Sequence, residues 1–260
     1  MKTGEIITNR LLQDEYYRVE FYAPEICRTA RAGQFVHVRI PNLEHRILRR
    51  PFSICNCTED GVLTVVYKVV GEGTRALAGL APGMACELMG PLGNGFMPPK
   101  DGEYPVLVVG GYGSAATFML SQNGGKGGLV LLGARSASDL LLVEEYRRNG
   151  FDVRVSTNDG SAGHKGLVTE LLTEAIRENG DRPVRFYACG PTGMLYAVAK
   201  MLCARNLPGE ISLDHLMCCG VGACFACVVK VKDNNADGWR YARSCNEGPV
   251  FRAAELYLED

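Results

Sequence analysis

The chain has 260 residues, 47% of them apolar, and a formal net charge of −1, which is material enough for two domains and a small third. No basic cluster stands out, which argues against nucleic acid or an anionic membrane surface as a partner. The longest apolar runs are about strand length, short of the ~20 residues that span a bilayer. The opening Met1-Lys2-Thr3-Gly4-Glu5 has no apolar signal-peptide core, so a cytoplasmic protein is expected.

Residues 1–97 read as all-β. Short alternating or apolar runs recur at Glu5–Asn9, Tyr16–Tyr22, Gln34–Ile40, Arg50–Cys57, Leu63–Val70 and Met84–Met89, punctuated by Gly33, Pro41, Gly61 and Pro82-Gly83. Such regular spacing predicts an antiparallel barrel. Arg50-Pro51-Phe52-Ser53 falls on one of its strands, where an arginine is ordinarily a surface charge. Val70-Gly71-Glu72-Gly73-Thr74 follows; its glycines either shape a hairpin or let backbone N–H groups approach a phosphate. Gly90-Pro91-Leu92-Gly93-Asn94-Gly95-Phe96 marks the exit from the barrel.

In residues 98–208 the period changes. Apolar strand-like runs at Pro105–Val109, Gly128–Leu132, Asp152–Ser156 and Val184–Ala188 alternate with helix-compatible stretches at Ser114–Gln122, Ser138–Asn149, Leu167–Glu178 and Met194–Arg205. This alternation predicts βαβ units and a parallel sheet, with ligands beyond the C-terminal strand ends. Gly110-Gly111-Tyr112-Gly113 follows the first of these strands, a turn able to aim N–H groups at a pyrophosphate. Cys189-Gly190-Pro191-Thr192 ends the last one. Cys189 reads equally as a buried thiol at a strand end and as a functional group. Arg135, after the second strand, bears on NAD-versus-NADP choice.

Residues 209–260 carry Cys219-Gly-Val-Gly-Ala-Cys224-Phe-Ala-Cys227 and, downstream, Cys245. C-x4-C-x2-C with a distant fourth cysteine is the spacing of a plant-type [2Fe-2S] site. A four-cysteine zinc site usually shows two C-x2-C knuckles, and here there is one. Disulfides fit poorly with a chain that lacks secretory features. Cys218 beside Cys219 would give C-x5-C, so Cys219 is the expected ligand. Gly220 and Gly222 let the loop wrap closely and adopt positive φ. Of the remaining cysteines, Cys27, Cys55, Cys57, Cys86, Cys189 and Cys203 read as small buried hydrophobes. His37, His45, His164 and His215 are scattered and read as structural or surface residues, and no nucleophile–base pair suggests itself.

Taken in order, Arg50-Pro51-x-Ser53, Val70-Gly71-x-Gly73-Thr74, Gly90-Pro-Leu-Gly-Asn-Gly-Phe96, Asp159-Gly160-Ser161-x-Gly163-x-Lys165-Gly166, Cys189-Gly-Pro-Thr192 and the cysteine loop with Cys245-x-x-Gly248-Pro249-Val250-Phe251 resemble one family. It is the electron-transfer subunit of type B dihydroorotate dehydrogenase, within the ferredoxin–NADP reductase superfamily. The resemblance implies a multi-domain α/β plus β protein: an antiparallel FAD-binding barrel (1–97), a parallel-sheet α/β NAD-binding domain (98–208) and a small [2Fe-2S] domain (209–260). It implies FAD on Arg50, Pro51, Phe52, Ser53, Tyr67, Lys68, Val69, Gly73 and Thr74, with Arg50 at the pyrophosphate and Ser53 near flavin N5. It implies NAD at Gly110, Gly111, Gly113, Cys189, Gly190 and Pro191, and the cluster on Cys219, Cys224, Cys227 and Cys245. The implied partner is an FMN-containing catalytic dihydroorotate dehydrogenase subunit, in a heterotetramer of two of each. Dihydroorotate is oxidised there, and electrons cross the cluster and FAD to NAD in pyrimidine biosynthesis.

Related subunits that use Asp as first cluster ligand differ at Cys219. The turn at residues 110–113 departs from the family pattern, which has an aliphatic residue at Tyr112 and a proline at Ala116; a tyrosine ring there crowds or reorients a dinucleotide. Two other readings keep the flavin and the cluster: a reductase subunit serving another oxidoreductase, and an adapter that has lost NAD binding.

Overall fold

The structure, a computed structural model, describes residues 2–43, 45–122, 127–213 and 216–258. The first sheet contains β1 (Lys2–Gln13), β2 (Tyr16–Tyr22), β3 (Phe35–Arg39), β4 (Arg50–Ser53), β5 (Asn56–Cys57), β6 (Val62–Lys68) and β7 (Ala85–Leu92). All pairs are antiparallel, in the order β4-β3-β7-β1-β2-β6-β5. Alternation sets the faces: on β2, Val19 and Phe21 are buried while Tyr22 points outward. The sheet curls so that Ile54 N–H donates to Gln34 O and Cys55 N–H to Thr64 O, both 2.9 Å, joining its two ends. β1 is longer than the Glu5–Asn9 run predicts. Irregularities between Ile6 and Thr8 and between Leu11 and Gln13 let it bend, pairing with β7 near its start and with β2 for most of its length.

The second sheet begins with β8 (Tyr104–Gly110), β9 (Gly128–Ala134), β10 (Phe151–Thr157), β11 (His164–Lys165), β12 (Val184–Cys189) and β13 (Gly209–Ser212), all parallel to their neighbours. A hairpin follows, β14 (Val228–Lys232) with β15 (Trp239–Arg243), and then β16 (Val250–Arg252). β16 returns to the second sheet and pairs antiparallel with β13, giving the order β11-β10-β9-β8-β12-β13-β16. The predicted division after residue 208 therefore runs along a strand that continues this sheet, and the chain's last strand closes its edge.

Val106, Leu107, Val108 and Val109 are all fully buried because both faces of β8 are covered. Val106 and Val108 meet the helices Val168–Asn179 and Thr192–Cys203. Leu107 and Val109 meet a core shared with the barrel through Tyr16, Val66 and Phe96. The helix predicted over 114–122 is instead a short α-turn, Gly113–Thr117, running into a 3-10 turn, Phe118–Gln122. The one predicted over 138–149 splits into a 3-10 turn at Ala137–Asp139 and an α-helix at Val143–Arg148. It is interrupted by Leu142 at φ +62°, where Leu141 and Leu142 are both buried and leave the helical path to reach the core.

The barrel exit is also a docking point. A Cβ on Gly93 would lie 2.5 Å from Pro249 Cδ, and Asn94 Nδ2 donates to Glu247 O at 2.9 Å. Two motifs far apart in sequence, Gly90–Phe96 and Gly248-Pro249, thus meet. Glycine at 93 is what lets them touch.

Candidate functional site

Where the barrel, the turn after β8 and the C-terminal region converge lies a cavity of about 790 Å³, towards the upper end of the ~300–1,000 Å³ typical of cofactor sites. The barrel contributes Arg50, Pro51, Phe52 and Ser53 from β4, Tyr67 and Lys68 from β6, and Thr74. Strand β4 reaches the cavity because its pairing with β3 places Ser53 opposite Phe35, which also lines it. Tyr67 is fixed by ring contacts to Phe52 at 5.6 Å and Tyr17 at 5.7 Å, and its hydroxyl meets Asn9 Oδ1 at 3.2 Å. Arg46, Arg49 and Lys68 line it but pair with Glu72, Glu87 and Asp139, which leaves Arg50 as the cation best suited to an anionic pyrophosphate.

Gly73 is explained by Arg50. A Cβ there would stand 2.6 Å from the Arg50 Nε, so only glycine lets the guanidinium lie across the turn. Thr74 holds that turn, its Oγ1 accepting from Val70 N–H at 2.9 Å and Gly71 N–H at 3.2 Å. Gly71 N–H is thus engaged within the chain. Val69 behaves differently from its neighbours: its N–H donates to Glu15 O at 2.8 Å and its side chain packs against the barrel core.

At the end of β8, the glycines answer two needs. A Cβ on Gly113 would meet Cys189 O at 2.3 Å, and one on Gly110 would meet Pro191 Cδ at 2.6 Å, so these two permit close packing on the end of β12. Gly111, at φ +54°, meets nothing within 4 Å beyond its own chain neighbours, so no distant part of the chain closes over this backbone. Gly190 takes φ +157° beside them, and Cys189 is fully buried. Tyr112 is half exposed and its ring lines the cavity together with Ser53, a placement the turn's sequence did not indicate.

The C-terminal region contributes Leu216, Met217, Cys218 and Pro249 to the same cavity. Cys218 turns there, while Cys219 Sγ accepts from Ala223 N–H at 3.3 Å. Gly222 N–H donates to Cys245 Sγ at 3.2 Å, and Cys245 N–H to Cys227 Sγ at 3.4 Å. Gly220 and Gly222, at φ +72° and +80°, curl the loop so that such N–H groups face sulfur. Arg243 pins it, Nη1 donating to Gly222 O at 3.1 Å and Nε to Glu247 Oε1 at 3.2 Å. Cys219 is influenced by the Cys224 thiol, and Cys245 by the thiols of both Cys227 and Cys219, so the four cysteines share one neighbourhood. Among the described residues no group of three or more His, Cys, Asp or Glu closes on a single ion position. Four cysteines gathered in one neighbourhood are the donor set that a [2Fe-2S] cluster takes. Burial works against ionising Cys219, but N–H groups of Val221, Cys224 and Ala223 and the Cys224 thiol bring it down to about 6. Burial and the neighbouring Cys227 thiol push Cys245 up to about 12.

The histidines separate clearly. His45 pairs with Glu72 at 2.8 Å and His164 with Glu170 at 2.6 Å, both on the surface; His215 lies outside the described residues. His37 is fully buried in β3, and burial, reinforced by the Arg49 charge, pushes its imidazole down to about 4. The sequence offered no sign of this beyond its place in an apolar run.

Comparison with known proteins came out consistently. The family model for the iron-sulfur cluster binding domain of dihydroorotate dehydrogenase B matches residues 214–257. The electron transfer subunit of dihydroorotate dehydrogenase B (NAD(+)) from Desulforamulus reducens is 38% identical, covering 98% of each chain. That from Fusobacterium nucleatum is 36% identical over 90% of this chain and 88% of its own. Among solved structures, an NADH-dependent reduced ferredoxin-NADP oxidoreductase studied for flavin-based electron bifurcation superposes with a TM-score of 0.82. It is 29% identical, over 99% of this chain and 91% of that one.

Proposed function

The chain belongs to the family of dihydroorotate dehydrogenase B electron transfer subunits, and from that premise we propose how its own residues carry out the work. It is a flavin and iron–sulfur oxidoreductase subunit that moves electrons from a catalytic dihydroorotate dehydrogenase chain to NAD in pyrimidine biosynthesis, using a [2Fe-2S] cluster and FAD. When bound, FAD exchanges a hydride with the nicotinamide and single electrons with the cluster, joining a two-electron carrier to a one-electron carrier.

The observation that carries the reading is one cavity lined by the barrel, by Tyr112 and by Leu216, Met217 and Cys218, which lead into the cluster loop. We assign FAD to it. Arg50 offsets the pyrophosphate charge, Ser53 places a hydroxyl at the isoalloxazine end, and Pro51, Phe52 and Tyr67 wall off water. Lys68 and Thr74 complete the lining, and Gly73 and Val69 contribute through the backbone turn. We assign NAD to the C-terminal strand ends around Gly110, Gly111, Gly113, Cys189, Gly190 and Pro191, where no distant part of the chain closes over Gly111. The cluster we assign to Cys219, Cys224, Cys227 and Cys245.

In this reading the units are a flavin barrel (1–97), a nicotinamide unit (98–208) and a cluster unit (209–260) that shares its first and last strands with the second sheet. The partner is an FMN-containing subunit, assembled two with two. No helix among the described residues is long and apolar enough to cross a membrane, and we place the complex in the cytoplasm.

Co-expression with a dihydroorotate-oxidising chain tests this. The two should co-purify, and anaerobic dihydroorotate plus NAD should yield NADH and orotate. A chain that carries both cofactors, yet neither co-purifies nor couples the reactions, would defeat the partner assignment.

A further inference from the structure

Among the described residues, both ring nitrogens of His37 lack a hydrogen-bond partner although the side chain is fully buried. An unsatisfied buried polar group costs about 1–3 kcal/mol, so the fold holds this ring ready for a partner that no described residue supplies. Two contacts locate that partner. Phe35 and His37 lie two residues apart on β3 and so share a face, with ring centroids 5.6 Å apart. Phe35 packs with Met217, Cys227 and Cys245. On the other side, a Cβ on Gly220 would lie 2.7 Å from both Nε2 and Cε1 of His37. The ring edge bearing Nε2 is therefore pressed against the residue that follows Cys219, and glycine is needed there to admit it.

We propose that His37 donates a hydrogen bond from Nε2 to a sulfur of the [2Fe-2S] cluster, a cysteine thiolate or a bridging sulfide, and so raises the cluster's reduction potential. This rests on the cluster reading given above. A neutral imidazole has one N–H to give, and sulfur that gains negative charge on reduction is the acceptor the site lacks. Donors to cluster sulfurs favour the reduced form. Gly222 and Ala223 supply such donors from the loop itself. His37 supplies one from the barrel, on a strand that also reaches the flavin cavity through Phe35. It is a positioning residue: it touches the cluster and sets its potential without exchanging electrons.

The test is an EPR-monitored reductive titration of the purified chain, wild type against His37→Leu and His37→Gln, with iron and acid-labile sulfide measured on each sample. His37→Leu should shift the cluster's reduction equilibrium about tenfold towards the oxidised form, which for a one-electron couple is about 59 mV more negative. His37→Gln keeps an N–H and should recover most of that shift. Pulsed EPR on reduced protein labelled with ¹⁵N-histidine should show a weakly coupled nitrogen that disappears in His37→Gln. This readout stands even where His37→Leu fails to assemble. A loaded His37→Leu with the wild-type potential, or a wild-type spectrum with no coupling that depends on His37, overturns the proposal. Wild-type protein without two irons and labile sulfide would instead overturn the cluster reading beneath it.

Discussion

The barrel and the cluster region of this chain are stabilised in different ways. The barrel closes on its own core, with Val19, Phe21, Val36, Val38, Ile54, Leu63, Val65 and Leu88 all fully buried. The cluster loop has no such core. Its buried residues Met217, Cys227 and Cys245 pack on Phe35 of the barrel, its hairpin leans Val229, Val231 and Ala242 on the second sheet, and Cys224 and Phe225 are exposed. Apolar burial, at roughly 25 cal/mol per Å², is the dominant stabilising contribution in the first region. The second borrows surfaces and depends on metal ligation, whose free energy becomes folding free energy when no site exists beforehand.

The widest gap between the regions should appear on removing one thiolate. Cys224→Ser should abolish the cluster and raise amide exchange by orders of magnitude across residues 216–247, while β1–β7 stay protected and FAD stays bound. Hydrogen exchange with absorbance on the same sample reads both. Joint loss of flavin and cluster would mean the regions are not independent.

The converse comes from Arg50→Ala, which strips a charge-assisted contact of roughly 1.5–3 kcal/mol. FAD affinity should fall about ten- to a hundredfold, measured by flavin fluorescence on dilution, with iron content unchanged. Unaltered flavin retention would return Arg50 to the status of a surface charge.

Gly93→Ala probes the seam between the regions. The new methyl would meet Pro249 Cδ at 2.5 Å and Gly248 O at 2.8 Å, at a φ of +72°. Strain of this kind costs on the order of 1–3 kcal/mol, and the melting temperature should drop by several degrees. A neutral result would show that the seam carries no weight.

The smallest effect should be that of Tyr112→Gly. Tyr112 lines the flavin cavity together with Ser53, so removing its ring should speed flavin reduction by NADH less than tenfold in rapid mixing. A larger acceleration would show that the tyrosine obstructs the dinucleotide.

Much of this was legible in the sequence because it is local. Alternation in Tyr16–Tyr22 and the unbroken apolar run of Pro105–Val109 state their period directly, and the C-x4-C-x2-C spacing lies in the stretch matched by an iron-sulfur cluster binding domain. What stayed hidden depends on contacts far apart in the chain. Gly93 looks like turn punctuation until Pro249 is placed against it. Gly110 and Gly113 read as a phosphate turn; that Cys189 and Pro191 also require their lack of Cβ shows only in the structure. β13 and β16 are too short to declare a sheet, and only their pairing joins the C-terminal region to the second one. His37 is a polar letter in an apolar strand; its meaning comes from Gly220, more than 180 positions later in the chain.

One cavity sets the flavin seat beside Tyr112 of the turn after β8 and beside Leu216, Met217 and Cys218, which lead into the cluster loop, so electrons should pass between nicotinamide, flavin and cluster within this chain. Anaerobic rapid mixing of the isolated, cofactor-loaded chain with NADH, followed by absorbance and freeze-quench EPR, tests it directly. The flavin bands should bleach first, and the EPR signal of the reduced cluster should then grow at a rate independent of protein concentration. Flavin bleaching with no cluster signal, or one whose rate rises with protein concentration, would contradict the claim.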